Sequence, residues 1–184
     1  DALPPQGLKA SRAVLAVEAQ WQRAAQPYVV VSIAAQRLYL LQGGRLLKTY
    51  PVSTSAFGPG FRQGSNQTPL GLHRVREMIG DGAPPGMVFK ARRPTGRIAD
   101  IIRDPIDVPE DDVTTRIMWL EGLEPGVNQG GNVDSYRRYI YIHGTPEEGL
   151  IGRPASHGCV RMVNADVIDL FGRLGEGTLV YITH

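Results

Sequence analysis

Two short stretches of the chain carry side chains whose types and spacing can do covalent chemistry. The first, Ala155-Ser156-His157-Gly158-Cys159-Val160-Arg161-Met162, holds the only cysteine of the 184 residues. A lone cysteine makes no intrachain disulfide, so any special role for Cys159 is that of a thiol, which becomes a nucleophile where an imidazole, a cation or backbone N–H groups favour the thiolate. The plain alternative is a buried structural thiol, a common fate of free cysteine. The second stretch, Arg138-Tyr139-Ile140-Tyr141-Ile142-His143-Gly144-Thr145, alternates apolar residues like a strand that delivers His143 at its end. Gly149, Gly152 and Pro154 give the connection to Cys159 the turns needed to fold back, across 159 − 143 = 16 positions. An imidazole titrating near neutral pH suits removal of a thiol proton and its later return to a leaving amine. Both His143 and His157 are candidates for that base, and the one that is not the base would orient groups or shape the pocket. Gly158 lets the backbone approach closely, and its N–H with that of Cys159 can form an oxyanion hole. Ser156 can hold the turn through local hydrogen bonds.

The pair His143-Gly144-Thr145 and Ser156-His157-Gly158-Cys159-Val160-Arg161 resembles the signature of the L,D-transpeptidase (YkuD-type) catalytic domain of bacterial cell-wall enzymes, a histidine followed by Ser/Thr-His-Gly-Cys. Tyr50-Pro51-Val52-Ser53-Thr54-Ser55 and Gly64-Ser65-Asn66-Gln67-Thr68-Pro69-Leu70-Gly71 resemble that family's Pro-Val-Ser and Thr-Pro-x-Gly segments. The likeness covers roughly residues 28–75 and 138–183 and leaves the middle unmatched. It implies a mainly β fold, a YkuD-like β-sandwich or barrel with one or two short helices and an inserted flap. It also implies a reaction on peptidoglycan stem peptides. Cys159 would form a thioester with the third residue of a stem tetrapeptide, release the terminal D-amino acid and pass the acyl group to an amine acceptor, in cross-linking or wall anchoring. The likeness favours His143 as base, oriented by the backbone carbonyl of Gly144, with His157 and Gly158 supporting. Arg161, Ser156, Gly144 and Thr145 become the substrate-binding candidates. A guanidinium two residues beyond the nucleophile would fork onto a stem-peptide carboxylate, although some family members carry Asn there. Carbapenem β-lactams follow as covalent inhibitors, and the periplasm or cell envelope as the location, with a signal peptide removed. With water as acceptor the same site is an L,D-carboxypeptidase or amidase. A non-catalytic wall-binding module is the reading from another class, and it has no need of His143 beside Cys159.

Metal chemistry is the main rival. Cys159, His157, His143 and His73 are zinc-ligand types, but no CxxC or HxxxH pair spaces them, so no metal and no cofactor is expected. His73 reads as an outward-facing strand residue, and Glu110-Asp111-Asp112 beside Pro109 as a solvated turn. A formal net charge of +2 with no Lys/Arg run excludes a phosphate-tracking surface, so no nucleic acid is expected. No stretch reaches the ~18 uninterrupted apolar residues of a spanning helix.

The elements that must position these groups form one domain, 28–184, preceded by a helical segment, 1–27, whose residues 8–25 are amphipathic. Tyr28 to Ile33, Arg37 to Leu41 and Arg45 to Val52 read as strands, with Gly43-Gly44 as a hairpin turn and Pro51 keeping its strand end from a central position. Residues 53–68 read as a loop bordering a cleft, and Leu70 to Val75 as a further strand. Residues 76–135 give a turn-rich signal with a short strand at Ile117 to Leu120, which is expected to be an inserted flap. Asn164 reads as the N-cap of a helix whose apolar stripe is Val167, Ile168, Leu170, Phe171 and Leu174, and Thr178 to Thr183 as the last strand.

Overall fold

The computed structural model describes residues 26–184; the helix expected over 8–25 lies outside them. The described chain contains ten strands: β1 (Tyr28–Ser32), β2 (Arg37–Gln42), β3 (Arg45–Ser53), β4 (Gly71–Ile79), β5 (Met87–Lys90), β6 (Arg93–Ile98), β7 (Val113–Gly122), β8 (Tyr141–Gly144), β9 (Val160–Met162) and β10 (Leu179–Thr183). One α-helix, α1 (Asn164–Phe171), lies between the last two strands. The sheet order is β4-β10-β1-β2-β3-β9-β8-β7, and β4 pairs with β7 again, so eight strands close into a barrel-like sheet. The hairpin β5–β6 hangs from the outer edge of β7. The fold is therefore mainly β, as the motifs imply.

Local chemistry accounts for the elements. Gly43 and Gly44, at φ 58° and 77°, make the two-residue turn between Gln42 and Arg45, where both positions need positive φ. β1 is an unbroken apolar run because both its faces are covered. Val29 and Val31 join the barrel interior with Leu38, Leu40, Val52, Ile142, Val160 and Met162, while Tyr28 and Val30 pack outward with Tyr39, Leu41 and Leu179. Each fully buried aliphatic side chain contributes on the order of 1.5–3 kcal/mol. Pro51 fits because β3 meets β2 along its length and β9 only at Val52 and Ser53.

The interior also receives Val167 and Leu170 of α1, the stripe expected of that helix. Asn164, however, does not cap it. Its side chain is buried, accepting hydrogen bonds from the hydroxyls of Thr114 (2.7 Å) and Thr115 and donating to Thr145 O (2.9 Å), while Glu148 takes its backbone N–H (2.9 Å). The amide that looked like a local cap is a long-range brace.

The segment 76–135, expected as an inserted flap, divides in the structure. Val113–Gly122 is a ten-residue strand between β4 and β8 with Met118 and Leu120 in the interior, hence part of the barrel itself. A bulge at Thr115, φ 75°, interrupts its pairing with β8 and hides its length from the alternation pattern. What projects is the hairpin β5–β6 and the loops beside it.

Candidate active site

β8 and β9 are parallel neighbours in the register Ile142↔Val160, His143↔Arg161 and Gly144↔Met162. Because successive side chains alternate faces, Ile142, Val160 and Met162 enter the interior, and Tyr141, His143, Cys159 and Arg161 share the opposite face. Sixteen positions of chain thus end with histidine and cysteine on one side of adjacent strands. Cys159 is half-buried and packs against Phe89, Ile117, Trp119 and Tyr141. Its Sγ accepts the Tyr141 N–H (3.3 Å), and the S–H donates to Tyr139 O (3.2 Å). Burial pushes the thiol up to about 12, with the Tyr141 N–H opposing. At rest Cys159 is a neutral thiol.

His143 is buried, and its Nδ1 lies 2.5 Å from Gly144 O. A carbonyl only accepts, so Nδ1 carries the proton and Nε2 keeps its lone pair. Burial holds the imidazole pKa below its ordinary 6.5, although the Asp111 carboxylate pulls it the other way. The neutral, base-competent tautomer is therefore the resting form at neutral pH. Gly144 plays the orienting part through its carbonyl. It is buried, however, and a Cβ there would meet Asn164 Oδ1 at 2.6 Å and Thr114 O at 2.7 Å. Thr145 is likewise fully buried, its hydroxyl accepting Glu147 N–H (3.1 Å). Both residues, expected among the substrate-binding candidates, are enclosed by protein atoms.

The loop before the nucleophile is pinned from three sides. Ser156 is buried; its hydroxyl donates to Cys159 O (2.6 Å) and accepts Gly158 N–H at 3.3 Å, so it holds the turn rather than facing substrate. Thr54 O accepts Ser156 N–H (2.9 Å), and Thr68 donates its hydroxyl to Gly158 O (2.9 Å). The Ser-Thr-Ser and Thr-Pro-x-Gly segments are thus the clamps of the Cys159 turn. Gly158 sits at φ 126°, a conformation open to glycine, with Gln67 O 3.3 Å from where a Cβ would stand. His157 points outward, its side chain 54% exposed, and Nδ1 meets Asp111 Oδ2 at 2.8 Å.

Arg161, expected to fork onto a carboxylate, has a side chain that is 1% exposed. Nη1 reaches Glu147 Oε1 (2.6 Å) and Asp111 Oδ1 (3.1 Å), whereas Nε and Nη2 are buried without a hydrogen-bond partner among the described residues. The charge is internal because Arg161 faces the same side as His143, under the loop that brings Asp111 across. His73, read as outward-facing, is instead fully buried, with Nδ1 at Gly71 O (3.0 Å) and Nε2 at Ser135 Oγ (2.8 Å), and burial lowers its pKa to about 4.

Three site residues escaped the sequence. Asp111 joins His157 to Arg161, and although burial raises its pKa, the charges of His143 and Arg161 and the His157 hydrogen bond carry the net shift down. Glu147 is buried opposite Arg161. Arg138 donates to Gln67 O (2.6 Å) and Phe61 O (3.1 Å), tying the 60–67 loop to the turn before β8, and burial lowers its pKa. That loop, with Gly126, Val127 and Val133, lines a cleft beside Gly158.

The closed β-sheet presents a buried imidazole and a half-buried thiol on one face of neighbouring parallel strands. Residues 26–182 match YkuD, the L,D-transpeptidase catalytic domain, and the chain belongs to that family. It is 27% identical over 157 residues to the YkuD protein of Bacillus subtilis strain 168, covering 85% of this chain and 66% of that one. A 46-residue stretch is 48% identical to the YqjB protein of the same organism, 25% of this chain and 26% of that one. The fold is similar to an L,D-transpeptidase from Mycobacterium smegmatis (TM-score 0.51, 18% identity, 87% of this chain and 59% of that one). It is also similar to L,D-transpeptidase 3 from Mycobacterium tuberculosis in complex with a faropenem-derived adduct (TM-score 0.52, 16% identity, 86% and 61%). The chain therefore spans less than two thirds of these relatives' own lengths.

Proposed function

We propose that this chain is a peptidoglycan L,D-transpeptidase domain in which Cys159 is the nucleophile and His143 the general base. The observation that supports it most is the fixed tautomer of His143, whose Nδ1–H is held by Gly144 O so that Nε2 is the proton acceptor on the face that carries Cys159. The thiol turns from Tyr139 O to Nε2 and gives up its proton, and Sγ attacks the carbonyl of the third residue of a stem tetrapeptide. The oxyanion is met by the N–H groups of Cys159 and of Gly158, whose 3.3 Å contact to Ser156 is long enough to exchange. Collapse transfers the proton from His143 to the departing D-amino acid and leaves a thioester. An incoming amine gives its proton to Nε2, takes the acyl group and restores the thiol. His157, held outward by Asp111, acts through the position of the turn rather than as the base. The periplasm or cell envelope is where such a substrate is met. No helix among the described residues is long and apolar enough to cross a membrane.

The test is incubation with purified disaccharide-tetrapeptide, with and without an added D-amino acid, followed by mass spectrometry. Dimers joined between third residues, or exchange of the terminal D-residue, carry the proposal. Tripeptide as the sole product at every acceptor concentration makes the enzyme a carboxypeptidase, and no reaction with any muropeptide sinks the catalytic reading.

A further inference from the structure

With Arg161 enclosed, a different cation stands over the aromatic rings beside the thiol. The hairpin β5–β6 carries Lys90, Arg92, Arg93 and Arg97 and no acid. β6 is exposed along its whole length, and the pair is anchored to the barrel through Val88↔Thr114 and Phe89↔Val113. Its tip is a two-residue turn, Ala91-Arg92, closed by Lys90↔Arg93. Both turn residues stand at positive φ, 47° and 65°, where glycine or asparagine is the easy choice. Backbone held in such a region without glycine is found where geometry serves a site.

The turn aims one side chain back at the barrel. The Arg92 guanidinium carbon lies 4.7 Å from the Trp119 ring centroid and 5.3 Å from that of Tyr139, and Nη1 reaches Tyr141 Oη at 3.3 Å. Tyr139 and Tyr141 are the two residues whose backbone holds Cys159 Sγ. The guanidinium is thus laid on the aromatic floor that surrounds the thiol, half-buried, with donors to spare beyond the single bond to Tyr141. A guanidinium over ring faces keeps N–H donors free to take a planar anion.

We propose that Arg92 binds the terminal carboxylate of the acyl donor, on the leaving side of the scissile bond, and so sets the donor's preference for a free C-terminus. The inference rests on the acylating role of Cys159 proposed above, and its test separates the two. A tetrapeptide ending in a D-amino acid, as free acid and as C-terminal amide, is titrated calorimetrically into Cys159→Ala and into Cys159→Ala with Arg92→Gln. Turnover of the free acid by the unsubstituted enzyme is followed alongside. The expected result is that the free acid binds Cys159→Ala about 10- to 100-fold more tightly than the amide, and that Arg92→Gln removes this difference while leaving the amide's affinity unchanged. Equal weakening of acid and amide by Arg92→Gln would make Arg92 a prop for the aromatic floor and overturn the inference, as would an unchanged preference for the acid or no preference in either protein. Absence of turnover counts against the catalytic reading alone, since the binding arms decide the role of Arg92 without it.

Discussion

Strands β8 and β9 have two faces built in opposite ways. Toward the interior, Ile142, Val160 and Met162 are fully buried among other apolar side chains. On the other side, only one residue along, stand Tyr141, His143, Cys159 and Arg161, all titratable or charged groups that burial penalises. Arg161 leaves two of its nitrogens without partners among the described residues, a cost that a face selected for stability alone would not carry. The inner face offsets it through packing. The lesson is one of division of labour across a pleat, in which a single register places the apolar core on one side and the proposed chemistry on the other.

That division can be broken most severely at the thiol. Cys159→Ala should abolish covalent adducts with a carbapenem in intact-mass spectra while leaving the melting temperature close to that of the parent, because the side chain is small and sits at the border of the Phe89–Trp119 cluster. An adduct on the alanine variant would remove the site face from the chemistry. Glu147→Gln comes next and sharpens the comparison, for it puts a stability penalty on the site face. Removing one partner of a buried ion pair costs roughly 3–5 kcal/mol, and at about 2–4 °C per kcal/mol for a chain this size the melting temperature should fall by ~6–20 °C. A shift within experimental error would mean that Asp111 alone satisfies Arg161.

On the inner face, Met162→Ala should cost about 2–5 kcal/mol in denaturant unfolding and yet retain carbapenem acylation of the folded fraction. Loss of acylation without loss of stability would contradict the separation of faces. The smallest effect is expected at the half-exposed end of the network. Asp111→Asn should cost under ~1 kcal/mol near neutral pH. The folded pKa of Asp111 is depressed, so its contribution is present above the ordinary 3.8 and is lost as pH falls through the lower folded value. Parent and variant stabilities should therefore converge in strong acid, and a gap that widens there would reverse the sign assigned to Asp111.

The same contrast explains what could be read from the sequence. Features set by near neighbours were legible: the Gly43-Gly44 turn, the apolar run of β1 and the stripe of α1. Features set by distant partners were not. His73 looked outward because alternation does not say that β4 has a polar partner, Ser135, covering it. Asn164 carries the sequence mark of a cap, but Thr114 and Thr145 compete successfully for its amide. Arg161 became internal only when Asp111 and Glu147 were brought over it from two separate loops, 50 and 14 positions away. β7 was seen as a four-residue fragment because the Thr115 bulge resets its alternation, and the residue that shapes the site from that region, Asp111, looked like one of three solvated acids.

The central claim is that Cys159 and His143 rest as a neutral thiol and a neutral imidazole, with the proton moving only during acylation. The most direct test is the pH profile of carbapenem acylation, measured as the rate of adduct formation by intact-mass spectrometry in the parent and in His143→Ala. Acylation should be level around neutral pH and fall on acidification through a single pKa below 6.5, as His143 is protonated. In His143→Ala it should be slower by about two to four orders of magnitude at neutral pH, with that limb gone. A rate that holds in acid far below 6.5 and survives the alanine substitution would show a preformed thiolate that needs no base from His143, and would contradict the account.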